Sequence, residues 1–175
     1  MRRLLLLLAL CLALPLHAAD DFKEIGWESL VPKGWDPTQD LKALLSSGKL
    51  KDSDPRAMEA LEKMKALWDS APTEPSLAGA RIRLPGFAIP LEHKGNKVTE
   101  FLLVPYFGAC IHSPPPPANQ IVHATSRRPL ANLRSMDPVW VSGTLSLQRA
   151  DTPWGKAGYR LAVDKVAPYE EPKRK

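Results

Sequence analysis

Helical spacing of apolar residues is clearest in the segment that follows Asp54-Pro55. The apolar positions there are Met58, Leu61, Met64 and Trp68. An aspartate followed by a proline is typical of a helix start, as the N-cap and the first helical residue. We therefore predict a helix that ends before the segment 71–75, which contains two prolines. We expect its apolar stripe to lie in the core rather than to form a groove for a partner.

A shorter helix is predicted upstream, over residues 37–47, with Asp36 as its cap and Gly48 after its last turn. The neighbouring residues Trp27 and Trp35 lie in segments that read as extended chain. We expect these segments to dock their tryptophans on the body of the protein.

Apolar and polar residues alternate with a period of two after Ala80, which is typical of β-strands. The first strand is expected to bend, with a bulge, at Pro85-Gly86. A hairpin loop follows at 93–96, and a short helical turn is predicted around 130–133. The five predicted strands cover residues 81–91, 98–104, 119–125, 139–147 and 159–163.

These elements favour a mainly β (α+β) fold, namely a small OB-like five-stranded barrel with an N-terminal helical arm. A plain β-sandwich is the main alternative. The predicted organisation is a signal peptide at 1–19, an extended and helical arm at 20–75, the barrel domain at 76–170 and a disordered tail at 171–175.

The N-terminus has the three parts of a secretory signal peptide. Arg2 and Arg3 are basic, residues 4–14 are almost entirely apolar, and Ala18-Ala19 offers a cleavage site. The apolar run is short for a membrane span, which takes about 20 residues. A permanent anchor and lipidation at Cys11 are the alternatives. We predict a periplasmic protein, exported and then cleaved.

The amino-acid composition argues against some classes of fold and function. The chain of 175 residues is 44% hydrophobic and 25% charged, as in an average soluble domain. Its 18 prolines disfavour a long helical bundle. Cleavage would remove two arginines and lower the net charge from +5 to +3. So small a charge argues against nucleic-acid binding, which needs clustered basic residues.

The candidate chemistry lies around Cys110, which is the only cysteine of the predicted mature chain. On extended backbone Cys110 and His112 would point to the same face, and His123 lies on the next predicted strand. Cysteine and histidine are preferred zinc ligands. The sequence therefore predicts a metal site formed by Cys110, His112 and His123, with His93 as a possible extra ligand.

A rigid proline segment follows these residues. Four consecutive prolines form a stiff polyproline II rod, which would hold the candidate ligands in place. Asn119 and Gln120 come next and are candidates to hydrogen-bond a ligand or the backbone. The prolines are Pro114, Pro115, Pro116 and Pro117.

Other interpretations of the same residues stay open. Cys110 can be a small buried apolar residue, each histidine can bond a backbone carbonyl, and the prolines can merely stiffen a loop. A cysteine nucleophile with His112 or His123 as base and Asn119 as orienting group is a further alternative. We predict no enzyme, because neighbours two residues apart rarely give nucleophile–base geometry.

The chain also resembles a known family across several motifs. They are the segments 86–91, 100–112 and 114–120, together with 140–145. Through them the sequence is similar to the small exported bacterial proteins grouped as domain of unknown function 3299. The resemblance implies a periplasmic accessory of an ABC transporter with a MacB/FtsX-like permease. It also implies a neighbouring zinc-binding protein and zinc-responsive control.

Together these arguments predict a periplasmic metal-binding accessory protein, with zinc as the expected metal. Its partner would be an ABC transporter permease or a periplasmic zinc-binding protein, and it would meet the membrane only through that partner. The alternative is a metal-free adaptor that docks on a permease through the proline-rich loop.

Overall fold

A computed structural model describes residues 21–36, 55–109 and 115–170. Within these residues there are one α-helix, α1 (Pro55–Asp69), and three 3-10 turns at Trp27–Leu30, Pro75–Leu77 and Ala118–Gln120. The strands are β1 (Lys23–Glu24), β2 (Arg81–Lys94), β3 (Lys97–Val104), β4 (Val122–Ala131), β5 (Asp137–Ser146), β6 (Ala150–Thr152), β7 (Gly155–Ala157) and β8 (Tyr159–Pro168). The predicted signal peptide, the helix predicted over 37–47 and the predicted tail lie outside the described residues.

Five of these strands close into a barrel, as predicted. The order around the barrel is β2-β3-β4-β8-β5, and β5 pairs again with β2. β4 and β8 are parallel, and the other four pairs are antiparallel. A five-stranded barrel of this kind is OB-like. β1 adds a parallel strand to β2, and β6 and β7 form a separate hairpin between β5 and β8.

The inward residues of the five strands fill the barrel. In β3, for example, Phe101 and Leu103 are fully buried, and in β8 Tyr159 and Leu161 are. The strand periodicity therefore arises because alternate residues face this core. The buried members of the core are Ile25, Leu30, Ile82, Leu84, Ala88, Val98, Phe101, Leu103, Val122, Ala124, Val139, Val141, Leu145, Tyr159 and Leu161.

Gly86, the glycine expected to form a bulge in β2, is required for a different reason. It lies where β2 and β3 approach each other closely. A Cβ atom on Gly86 would lie 2.8 Å from the Val104 carbonyl oxygen and 2.9 Å from the Leu103 side chain. The register shifts of β2 occur further on, between Pro90 and His93. The predicted bulge at Pro85-Gly86 is therefore wrong, although a side chain at position 86 would clash with β3.

The helical turn expected around 130–133 is absent from the described residues. β4 continues to Ala131 instead, and the chain then turns through Asn132 and Met136, whose φ angles are 62° and 65°. The Asp137 carboxylate accepts a hydrogen bond from the Arg134 N–H at 2.8 Å. A turn closed by this carboxylate replaces the helical one.

The predicted helix forms, but its apolar stripe does not enter the core. Met58 is 57% exposed and Leu61 46%, while Ala60 is buried. The barrel strands fill their own interior, so no room remains there for helical side chains. Arg149 holds the end of the helix, because its guanidinium donates to the carbonyl oxygens of Asp69 at 2.9 Å and Ser70 at 3.1 Å.

A cavity of about 470 Å³ opens where two barrel strands diverge. The pairing of β4 with β8 ends at Ser126 and Val163. Beyond that point the cavity is lined mainly by apolar side chains, among them Leu130, Val139 and Val166. No helix in the described part of the chain has the length and hydropathy of a membrane span.

Tyr159 ties the N-terminal arm to the barrel. Its hydroxyl donates to the Leu30 carbonyl oxygen at 2.6 Å and accepts from the Glu74 N–H at 2.6 Å. The ring is fully buried. One phenol thus makes hydrogen bonds with backbone groups of two parts of the arm that are far apart in the sequence.

We expect Tyr159→Phe to destabilise the protein by about 1–3 kcal/mol, because it leaves a buried N–H and a carbonyl without their partner. Burial also raises the pKa of Tyr159 above its ordinary value of 10.0. The unfolded phenol therefore ionises first, and wild-type stability should fall as the pH rises above 10. Guanidinium unfolding at neutral and alkaline pH measures both effects.

Tyr169→Phe is the matched control, since Tyr169 lies outside the core and is half-buried. It should leave the unfolding midpoint nearly unchanged. Equal stability of Tyr159→Phe and wild type at neutral pH would show that the hydroxyl does not tie the arm to the barrel.

Candidate functional site

A second apolar cluster covers part of the outer wall of the barrel. Ile89, Leu102 and Val104 point outward from β2 and β3, and they pack with Ala109 and Ile121 from the connection between β3 and β4. Ala109 and Ile121 are fully buried. The segment that carries the candidate ligands is therefore flanked on both sides by residues packed on the barrel wall.

His123 lies at the edge of this cluster, on β4. Its neighbours Val122 and Ala124 belong to the barrel core, so the alternation of the strand turns His123 outward. It pairs with Leu102 of β3 on one side and with Arg160 of β8 on the other. Although it points outward, its side chain is only 8% exposed.

The imidazole of His123 is held by Glu100. Its Nε2 lies 3.0 Å from Oε2 of Glu100, which is two residues before Leu102 on β3. A carboxylate accepts but does not donate, so in the singly protonated ring Glu100 holds the proton on Nε2. Nδ1 then carries the free lone pair. The carboxylate is 38% exposed, so the pair reaches solvent through its acidic member.

Three buried polar atoms in this region lack a hydrogen-bond partner among the described residues. They are Nδ1 of His123, Nε of Arg160 and Oδ1 of Asn119. Most buried polar atoms in proteins are hydrogen-bonded, so an unpaired one points to an ion, a water or another group. His123 and Arg160 are direct cross-strand neighbours, which brings two of these atoms to one patch of the wall.

Asn119 and Gln120 bind the arm rather than the imidazole. The amide of Asn119 donates to the Pro72 carbonyl oxygen at 3.0 Å, and that of Gln120 donates to the Trp27 carbonyl oxygen at 3.0 Å. Of the two roles open to them, the backbone contact is the one observed. They fix the 3-10 turn that leads into β4 and so help to position His123.

The described prolines pack on the same region. Pro116 is buried, and Pro115 and Pro117 are half-buried. Pro117 has φ −54° and ψ 149°, close to polyproline II geometry. Gly155 of the β6–β7 hairpin approaches Pro115 so closely that a Cβ there would lie 3.0 Å from its side chain. These prolines therefore rest against the protein.

The predicted ligands are not all brought together by the described residues. Cys110, His112 and Pro114 lie outside them. His93 is exposed at the β2–β3 turn, where it pairs with Val98, four residues along β3 from the partner of His123. Within residues 21–36, 55–109 and 115–170 there is no group of three or more His, Cys, Asp and Glu side chains able to hold a metal.

Sequence reasoning missed two members of this site, Glu100 and Arg160. Each reads along the chain as an ordinary charged residue on the solvent face of a strand. Only the register of β3, β4 and β8 shows that both flank His123. The alternation of each strand predicted their outward orientation, but no signal in the sequence predicted the pairing.

Comparisons with known proteins identify the family but no activity. No curated protein matches the chain. The crystal structure of a DUF3299 family protein from Pseudomonas aeruginosa PAO1 is 36% identical, with a TM-score of 0.66; the match covers 86% of this chain and 98% of that one. The sequence model described as "Protein of unknown function (DUF3299)" matches residues 27–168. The chain therefore belongs to the DUF3299 family.

Proposed function

We propose that this protein is a periplasmic accessory protein that binds a transition metal, zinc in the first instance, with His123 as one ligand. The observation that supports this most directly is the buried imidazole whose Nε2 meets the Glu100 carboxylate. Its Nδ1 has no partner among the described residues. The ring is therefore oriented, and one nitrogen is available to a ligand.

The Glu100–His123 pair has the arrangement common around metal-binding histidines. Such a histidine usually gives its second ring N–H to a carboxylate or carbonyl, which fixes the tautomer and raises the basicity of the ligating nitrogen. Here the contact joins two side chains of the protein itself, Glu100 and His123. The reorganisation that metal binding would otherwise require at this ligand is therefore small.

Cys110 and His112 are the proposed further ligands, on the sequence pattern. The described residues on either side of them support this, since Ala109 and Ile121 pack with Leu102, the cross-strand partner of His123. The ends of the loop are thus anchored on the wall that carries the histidine.

Arg160 affects which ligands suit the site. Arg160 is half-buried, with its Nε enclosed and unpaired among the described residues, and its positive charge next to His123 disfavours a bare cation and favours an anionic group that offsets it. A thiolate supplies that charge, whereas a third neutral imidazole does not. This argues for Cys110 as a ligand, because thiolate is the form in which cysteine binds metals.

The link to a MacB/FtsX-like ABC transport system rests on the family resemblance. The competing function, a metal-free adaptor that docks on a permease, is favoured by one observation. Tyr106 and Phe107, just before the candidate ligands, are 48% and 69% exposed. Exposed aromatic side chains next to a proline-rich segment are a reasonable contact for a protein partner.

Zinc titration by calorimetry, on the reduced protein without its signal peptide, tests the metal function. We expect binding that is abolished or greatly weakened in Cys110→Ser and His123→Ala, because each variant removes a ligand. Glu100→Gln should weaken zinc affinity about 10–100-fold, the usual cost of losing a carboxylate partner of a ligating histidine.

His93→Ala is the matched control, because His93 is exposed and distant along β3 from the partner of His123. It should bind zinc as the wild type does. Absence of binding in the wild type, or equal binding in the wild type and the Cys110 and His123 variants, would favour the adaptor.

The tautomer of His123 gives a second, metal-free prediction. Long-range ¹H–¹⁵N correlation spectra should show the singly protonated ring with its proton on Nε2, because the Glu100 carboxylate accepts from that atom. In Glu100→Ala the fraction of the ring with its proton on Nε2 should fall, because the acceptor that holds the proton there is removed. A proton on Nδ1 in the wild type would contradict the geometry on which the metal proposal depends.

A further inference from the structure

A row of polar and basic side chains crosses the outer face of β2, β5 and β8. Arg83 on β2 pairs with Ser142 on β5, and Ser142 pairs with Lys165 on β8. Leu84 and Val141, the neighbours of the first two, face the core, so this row points outward. Side chains directly opposite each other in a sheet lie about 5 Å apart at Cβ. Two cations therefore flank one hydroxyl.

Arg83 is oriented by an aromatic ring. Its guanidinium carbon lies 4.1 Å from the centre of the Trp140 ring. The same arrangement recurs one row along, where Arg81 lies 4.2 Å from the centre of the Phe22 ring. A guanidinium that stacks on a ring still has its N–H groups in the plane of the group, directed sideways. These donors can then bind an anion without first losing side-chain freedom.

These side chains line a cleft of about 230 Å³. Ser142, which is 6% exposed, lies among them. The residues of the cleft are Phe22, Arg83, Trp140, Ser142, Lys165 and Ala167. The charged residues among those described that line the cleft are Arg83 and Lys165, which are both cations.

We propose that this cleft binds a tetrahedral oxyanion of the phosphate type. The planar donors of Arg83 would bind two of its oxygens, and the Lys165 ammonium would neutralise its charge from the opposite wall. The Ser142 hydroxyl would donate to an oxygen. The site is separate from His123, which lies on the outward face of β4.

Glu24 acts as an internal competitor. Its Oε2 lies 3.6 Å from the guanidinium of Arg83, and its side chain is 60% exposed. This is longer than a charge-assisted hydrogen bond, which spans about 2.7–2.9 Å. The pair is therefore weak, and the guanidinium can exchange this carboxylate for a better-placed anion.

Titration of the protein with inorganic phosphate at low salt, followed by NMR shifts of the Arg83 and Ser142 amides, tests the site. We expect saturable binding, weakened about tenfold or more in Arg83→Gln and in Lys165→Gln, since each removes a charged partner. Glu24→Gln should tighten binding, because it removes the competing carboxylate. Arg128→Gln, an exposed arginine on β4, is the control of equal charge and should bind as the wild type does.

The phosphate could be free or part of a lipid headgroup, and a second arm separates the two. Co-sedimentation uses vesicles of phosphatidylcholine with or without phosphatidylglycerol. Phosphate binding that depends on Arg83 supports a soluble ligand. Binding only to the anionic vesicles, lost in Arg83→Gln but kept in Arg128→Gln, supports a headgroup. Binding to neither probe, or equal loss in the two arginine variants, would overturn the proposal.

Discussion

The position of His123 depends on the pairing of β4 on both of its sides. β4 is antiparallel to β3 and parallel to β8, and each partner fixes its register independently. A slip of one residue would turn His123 into the core and push Val122 or Ala124 outward. The free energy of burying those two side chains therefore also holds the imidazole on the outer wall. The candidate site uses the stability of the barrel rather than that of the loop that precedes it.

Much of the fold follows from local patterns in the sequence. The alternation of apolar residues predicted all five barrel strands, because each has one face in a closed core. The prediction that Met58 and Leu61 lie in the core is wrong. Helical spacing indicates an amphipathic helix, but it does not indicate what covers the apolar side of that helix. The turn after Ala131 was also missed, because it depends on a carboxylate contact and on positive φ angles at Asn132 and Met136.

The candidate site was predictable only in its residue types. The outward orientation of His123 follows from its place between two core residues of β4. The roles of Glu100 and Arg160 do not, because they come from strands that begin 25 residues before and 37 residues after β4 begins. Contacts of this kind depend on register, which is set by the whole barrel. This is also why the sequence did not predict that Asn119 and Gln120, which lie between His112 and His123, bind the arm.

Two different sets of charges therefore occupy the outer wall of one small barrel. Around His123 the acidic partner is half-open and the imidazole is closed off from solvent, at 38% and 8% exposure. The row across β2, β5 and β8 contains the basic residues Arg83 and Lys165, and an aromatic ring orients Arg83. Because the barrel interior is filled by its own side chains, neither site can lie inside it. Both must be built on outward residues, where the strands supply rigid spacing and the arm or the connecting segments supply cover.

The Glu100–His123 pair also determines what a metal would displace. In the singly protonated ring the proton is held on Nε2 and Nδ1 is a lone pair, so a metal that binds at Nδ1 of this form would displace no proton from the ring. A cysteine ligand, in contrast, would have to lose its proton, because the thiolate is the form that binds metals. If Cys110 is a ligand, as proposed, its thiol would therefore be a source of the proton released on metal binding. Glu100, a charged residue that the sequence did not single out, thus prepares the imidazole by fixing its tautomer.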